Sequence, residues 1–129
     1  MEQKKYELED RFIDLASGLL SIADALPDTG VGNYLGELLL KSSLSPMHSY
    51  GEAQNAGSRN EFIQKMSAIL HELKGCRVAL KIIRKKEMIK PAAKLEAVFS
   101  EIEHLIAIIG KSISTAKKNK GKAVAAVEN

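Results

Sequence analysis

The sequence has no tryptophan, a single cysteine and few rings, with aromatics at 5% of 129 residues. So few aromatics argue against a sheet core, where aromatic and β-branched side chains are favoured, and suit an aliphatic helical bundle. Cys76, being alone, cannot form a disulfide framework or a cysteine-based metal site within the chain. Nine glycines and three prolines are few, and they mark the expected corners. No apolar stretch approaches the roughly 20 residues that a membrane span needs. The opening Met-Glu-Gln-Lys-Lys-Tyr-Glu is charged and lacks the apolar centre of a secretion signal. These absences predict a soluble cytoplasmic protein with no membrane contact, and the length fits one domain.

What is present is helical periodicity. With 45% hydrophobic residues the chain can bury a substantial core. Leu8, Phe12, Leu15, Leu19, Ile22 and Leu26 alternate spacings of four and three, the seam of helices crossing at shallow angles. Ile13, Ala16, Leu20 and Ala23 add a second flank, so this helix is expected to be covered on two sides. Pro27 stops it, and Asp28 or Thr29 caps the next helix, which carries Val31, Leu35, Leu38 and Leu39. A third seam runs Phe62, Met66, Ile69, Leu73, Cys76, Leu80, Ile83, which makes Cys76 a buried small hydrophobe. Lys90-Pro91 marks a corner. A fourth helix follows through Leu95, Val98, Phe99, Ile102, Leu105, Ile106, Ile109 and Ile113, with a stripe wider than one partner needs.

The expected fold is therefore all-α, an antiparallel up-down-up-down four-helix bundle over residues 1–118, with helices near 4–26, 30–56, 59–88 and 92–117. Residues 119–129 read as a flexible C-terminal tail. Apolar surface on the first and fourth helices beyond one bundle's needs predicts self-association.

The stretch 39–62 organises the chain. It opens Leu-rich and then turns to small residues, Ser42, Ser43, Ser45, Ser49, Gly51, Ala53, Ala56 and Gly57, which let a neighbouring backbone come close. Pro46 removes a backbone donor and presses on the carbonyl of Ser42, which predicts a kink in the second helix. The alternative is a break, with Ser45 as cap and Pro46 at the first helical position. Gly57 is expected to end this helix as a C-terminal glycine. Ser58-Arg-Asn-Glu61 is a capping box opening the third.

Lys41-Ser42, Ser45-Pro46, Glu52 and Glu61-Phe62-Ile63 resemble a family of small bacterial four-helix-bundle proteins encoded in intervening sequences of large-subunit ribosomal RNA genes. The resemblance covers about residues 8–110. The family usually has Arg where Lys41 stands and Asn where Ser49 stands, and a hydroxyl at Ser49 fills an amide's hydrogen-bonding role only in part. More distantly, the architecture is similar to the accessory protein of diversity-generating retroelements, a basic pentameric barrel that binds reverse transcriptase and RNA. The resemblance implies a homopentamer, and structured RNA or a nucleoprotein as partner. Lys41, Ser45, Pro46, Ser49, Glu52, Glu61 and Phe62 are its structural signature.

Charge is uneven although the net is only +3. Residues 1–28 hold three Lys/Arg against seven Asp/Glu, whereas residues 59–90 hold nine against three. On the third helix Lys74, Arg77, Lys81 and Arg84, with Lys85 beside them, form a basic row on one face. As a phosphate-binding face, each contact adds affinity and steepens salt dependence. As a structural feature, the same side chains cover apolar surface with their stems and pair with the acidic first helix of this subunit or a neighbour. No aromatics interleave them, which argues against single-strand readout.

No catalytic constellation emerges. Glu101-Ile-Glu-His104 is half of a di-iron carboxylate site, but such sites need a second copy, and none exists. His48, His71 and His104 fall on three helices with no shared spacing, so a zinc site is not expected. Gly30, Gly32 and Gly36 follow no strand, so they read as a close helix corner, not a nucleotide loop. Ser42, Ser43 and Ser45 have no nucleophile elbow. Glu52 is expected to be buried and hydrogen-bonded, or paired with Lys41 or Arg77. The reading is a non-enzymatic oligomer with no cofactor, metal or small-molecule substrate. It is either a scaffold for structured RNA or nucleoprotein, or a structural adaptor contacting only protein.

Overall fold

The heptad seams are what the bundle is built from. The computed structural model describes residues 6–119, with side chains from residue 8 onward. A π-helical turn, Tyr6–Asp10, leads into α1, Arg11–Ala25; α2 is Gly30–Gln54, α3 is Arg59–Lys85 and α4 is Ala93–Lys118. Each helix packs on the next, and α4 closes back onto α1, giving a four-helix bundle with no strand among the described residues. The first two residues of the expected first helix, 4–5, and nearly all of the expected tail, 120–129, lie outside the described residues.

Phe12, Leu15, Leu19 and Ile22 of α1 meet Met66, Ile69, Leu73, Cys76, Leu80 and Ile83 of α3 in one core, with Leu35 and Leu39 from α2. From α4 come Leu95, Val98, Ile102, Leu105, Ile109 and Ile113. Cys76 is 1% exposed, as its place on the seam predicts. The expected second flank of α1 is covered only in part within the chain: Ala16 is buried and Ala23 packs against the core, but Ile13 and Leu20 are exposed. The wide stripe of α4, by contrast, is absorbed by the bundle, with Phe99 and Ile106 packed partly buried against the core. The exposed large apolar side chains therefore sit on α1, α2 and α3, while α4 contributes Ile108 and Ala116 to an open cleft beside Phe62.

The corners depart from expectation in detail. Thr29 caps α2, its Oγ1 accepting from the Gly32 N–H at 3.0 Å. A Cβ on Gly32 would overlap the Pro27 carbonyl oxygen, so this glycine is what lets the two backbones meet. α2 runs unbroken through Pro46, which is buried, so Ser45 caps nothing and the break is not adopted. α2 stops at Gln54, and Gly57 does not take up a left-handed backbone. Its N–H instead donates to Glu61 Oε1 at 3.0 Å, while the Glu61 N–H donates to Ser58 Oγ at 3.1 Å. The capping box thus reaches one residue further back than the usual reciprocal pair.

α3 ends three residues before the expected limit. The Met88 N–H bonds the Ile83 carbonyl and the Glu87 N–H bonds the Arg84 carbonyl, both at 3.1 Å. That double closure turns the chain through Glu87, whose φ is 50°. Gly18, Gly75 and Gly110 lie inside helices and not at corners.

Candidate nucleic-acid interface

The basic row lies on α3, but it is divided. Arg77 Nη1 stands 3.6 Å from Glu103 Oε1 and Arg84 Nη1 stands 3.1 Å from Glu96 Oε1. The Arg84 guanidinium also sits over the Phe99 ring, 4.2 Å from its centroid, which covers that half-buried ring with a cation. The carboxylates therefore come from α4, not from the acidic first helix. Lys74, Lys81 and Lys85 are exposed, and at 100° per residue they stand 40–80° outward from the Arg77 row. Lys86 and Lys90 of the corner and Lys94 of α4 are exposed too. The open cationic surface thus lies at the C-terminal half of α3 and the α3–α4 corner. Two arginines of the row stitch α3 to α4.

The other signature residues gather elsewhere. Lys41 is exposed, Ser45 and Ser49 are half-buried, and Phe62 is half-buried at the start of α3. Glu52 is exposed and pairs with neither Lys41 nor Arg77. Its Oε1 lies 2.9 Å from Lys65 Nζ and its Oε2 lies 3.3 Å from His48 Nε2. It sits at the small-residue end of α2, one turn from the corner, where solvent keeps its charge hydrated. The Lys65 ammonium holds the Glu52 carboxyl below its ordinary value, and Glu52 in turn raises Lys65. A polar cleft of about 450 Å³ runs between His48, Glu52, Glu61 and Lys65.

The remaining candidates do not converge. Burial pushes the Cys76 thiol up, against a smaller lowering from the Ser42 hydroxyl, so it stays a protonated core residue at neutral pH. Ser43 is buried and donates to the Leu40 carbonyl at 2.8 Å, a helix-internal bond. His104 is exposed on α4, and Glu101 of the same Glu-x-x-His is bonded to Arg11. Among the described residues no three His, Cys, Asp or Glu side chains come together as a metal site. No described helix is long and apolar enough to cross a membrane. Charge counting on single helices missed Lys65, Glu96 and Glu103, all of which act across a helix pair.

No protein family, curated protein or solved structure matches the chain.

Proposed function

We propose that this protein is a non-enzymatic scaffold that binds structured RNA through the C-terminal half of α3 and the α3–α4 corner. The supporting observation is local charge. Residues 74–94 hold eight Lys/Arg against one carboxylate, Glu87, and Lys74, Lys81 and Lys85 stand exposed on the outer face. Such a surface neutralises backbone phosphates without reading bases. With no aromatic among those lysines, a folded RNA suits it better than a splayed single strand. The resemblance of residues 41–63 to proteins encoded within ribosomal RNA genes supports the same partner, and supports a homopentamer as the assembled form.

The test is fluorescence anisotropy of a labelled hairpin RNA across a salt series. Binding that weakens linearly in log–log form is expected; wild-type protein that binds no RNA at low salt overturns the proposal. A second reading, an adaptor contacting only protein, is favoured by the Arg77–Glu103 and Arg84–Glu96 pairs, which withdraw two cations from the row.

A further inference from the structure

α1 and α2 run antiparallel around the Pro27 corner, and Gly36 marks where they meet. A Cβ on Gly36 would stand 3.7 Å from both the Ala23 carbonyl oxygen and Leu26 Cδ1. Ile13, Leu20 and Asp24 share one side of α1, at i, i+7 and i+11. Glu37, Leu40 and Leu44 share one side of α2, at i, i+3 and i+7. All six are exposed. Asp24, Glu37 and Leu40 line one open cleft of about 410 Å³ together with Ala23 and Gly36, so the two stripes border the outer side of the α1–α2 seam.

The groove between the stripes has an apolar part and an acidic part. With Ala23 level with Gly36, stepping three residues each way along antiparallel helices brings Leu20 level with Leu39, next to Leu40. Ile13 and Leu44 continue the apolar part away from the corner. Asp24 and Glu37 lie toward the corner, where Asp28 is also exposed and accepts from Asn33 Nδ2 at 3.1 Å. Gly32 and Gly36 give the floor there no side chain, and Tyr34, 66% exposed, lines the same cleft. Lys41 is exposed too, but it stands 100° round α2 from Leu40 and off the stripe.

Of the eight exposed large apolar side chains among the described residues, four border this groove and Tyr34 is a fifth beside it. Apolar surface gathered in this way marks an interaction site. The carboxylates decide the kind of partner. They repel phosphate, which excludes nucleic acid and an anionic membrane, and they complement a cation. A trough between two helices, with a stripe from residue 13 to residue 24 spanning roughly 17 Å, has the shape that takes up a helix.

We propose that the α1–α2 groove binds a cationic amphipathic helix of a partner protein. Aliphatic side chains of that helix at i, i+4 and i+7 enter between Leu20, Leu40 and Leu44, and a Lys or Arg one turn further on meets Asp24 and Glu37. Burial of the aliphatic side chains supplies affinity, and the carboxylates at one end fix the direction in which the helix lies. The site uses neither α3 nor the α3–α4 corner and is tested in RNA-free protein, so it stands or falls separately from the RNA reading.

The probes are fluorescein-labelled helices of about four turns, with Leu, Ile or Met at i, i+4 and i+7 and Lys on the flanks, read by fluorescence anisotropy. One control keeps the composition in scrambled order, and another carries Glu in place of Lys. A Lys-flanked helix is expected to bind wild type with an affinity that falls as salt rises, and its scrambled form to bind roughly tenfold more weakly for want of an apolar face. Leu20→Ser with Leu40→Ser is expected to weaken binding by about tenfold or more. Asp24→Lys with Glu37→Lys is expected to lose the Lys-flanked helix and to gain the Glu-flanked one. All four positions are exposed, so circular dichroism of both variants should match wild type. The proposal is overturned if no Lys-flanked helix binds, if the scrambled form binds equally, or if either variant keeps wild-type affinity. Light scattering on the same samples identifies a different occupant. A second copy in the groove leaves wild type heavier than 14.1 kDa, both variants at that mass and no probe bound, which also overturns the proposal.

Discussion

Arg11 and Glu101, 90 residues apart, join the first helix to the last: Nε lies 2.9 Å from Oε2 and Nη2 lies 3.4 Å from Oε1. Both side chains are about a third exposed, which keeps water near and limits the pair's worth. The two-pronged geometry raises it toward the upper end for surface pairs. A double-mutant cycle with Arg11→Ala and Glu101→Ala, followed by urea denaturation, is expected to give a coupling of about 0.5–1 kcal/mol. Zero coupling would mean that the helix pair α1–α4 is held by its apolar contacts alone.

Glu87 occupies a left-handed position that favours glycine. It stands where the chain leaves α3, with φ 50°, and its carbonyl-closing bonds are backbone ones that any residue can make. Relief of the left-handed penalty is worth roughly 1–2 kcal/mol, and glycine's extra freedom in the unfolded chain returns about 0.5–1 of that. Glu87→Gly is expected to raise stability by roughly 0.5–1 kcal/mol in thermal or urea denaturation. A destabilised variant would mean that the Glu87 side chain contributes something the backbone geometry does not reveal.

Two glycines should respond in opposite directions to alanine. A Cβ at Gly32 meets the Pro27 carbonyl, backbone that cannot step aside cheaply; a Cβ at Gly75, inside α3, meets nothing within 4 Å. Gly32→Ala is expected to cost about 1–3 kcal/mol, and Gly75→Ala to add about 0.5–1 kcal/mol by helix propensity. Equal effects would contradict the close corner at Pro27.

The helices and their core faces were legible because heptad spacing is a local signal: Phe12, Leu19, Leu73, Leu80 and Ile102 are buried where periodicity puts them. The partners of charged residues were not, because pairing depends on register between helices. The clue was nonetheless present. Arg84 and Arg77 are seven apart on α3, and Glu96 and Glu103 are seven apart on α4, which is what an antiparallel pair in heptad register brings together. Gly57 misled for a different reason. A glycine after a helix suggests a left-handed ending, yet here Asn55 closes α2, donating from Nδ2 to the Gly51 carbonyl. The width of the α4 stripe also misled, since Arg84 covers Phe99 from α3.

The Glu52–Lys65 pair sets a pH dependence at the α2–α3 end. Glu52 is held below its ordinary carboxylate value, first by the hydrogen bond and then by the charge of Lys65. A lowered carboxylate stabilises the fold above its unfolded value, and that contribution is lost as pH falls through the folded value. Lys65, raised by the same contact, contributes below its unfolded value and loses this as pH rises through the folded one. The pair is therefore effective between acid and strongly alkaline pH. Carboxyl NMR titration is expected to show Glu52 titrating lower in wild type than in Lys65→Met. Coincident titrations would mean that solvent screens the contact entirely.

The two kinds of cation on α3 should separate by mutation. Arg77 faces Glu103 and is only 27% exposed at its side chain, so its head belongs to the α3–α4 seam. Lys74 and Lys81 stand on the outer face with their charges in water. Lys74→Glu with Lys81→Glu is expected to weaken hairpin-RNA binding at every sequence tested. It should also flatten the salt dependence by about two to four counterions, at roughly 0.9 per contacted phosphate. Stability should change by less than about 0.5 kcal/mol, as at other open surface positions. Arg77→Glu sets a carboxylate against Glu103 and is expected to act mainly on stability, with urea midpoints falling and the salt slope nearly kept. If instead the double lysine variant loses helicity or assembly while Arg77→Glu loses RNA, the outer lysines are structural and the phosphate face lies along the arginines.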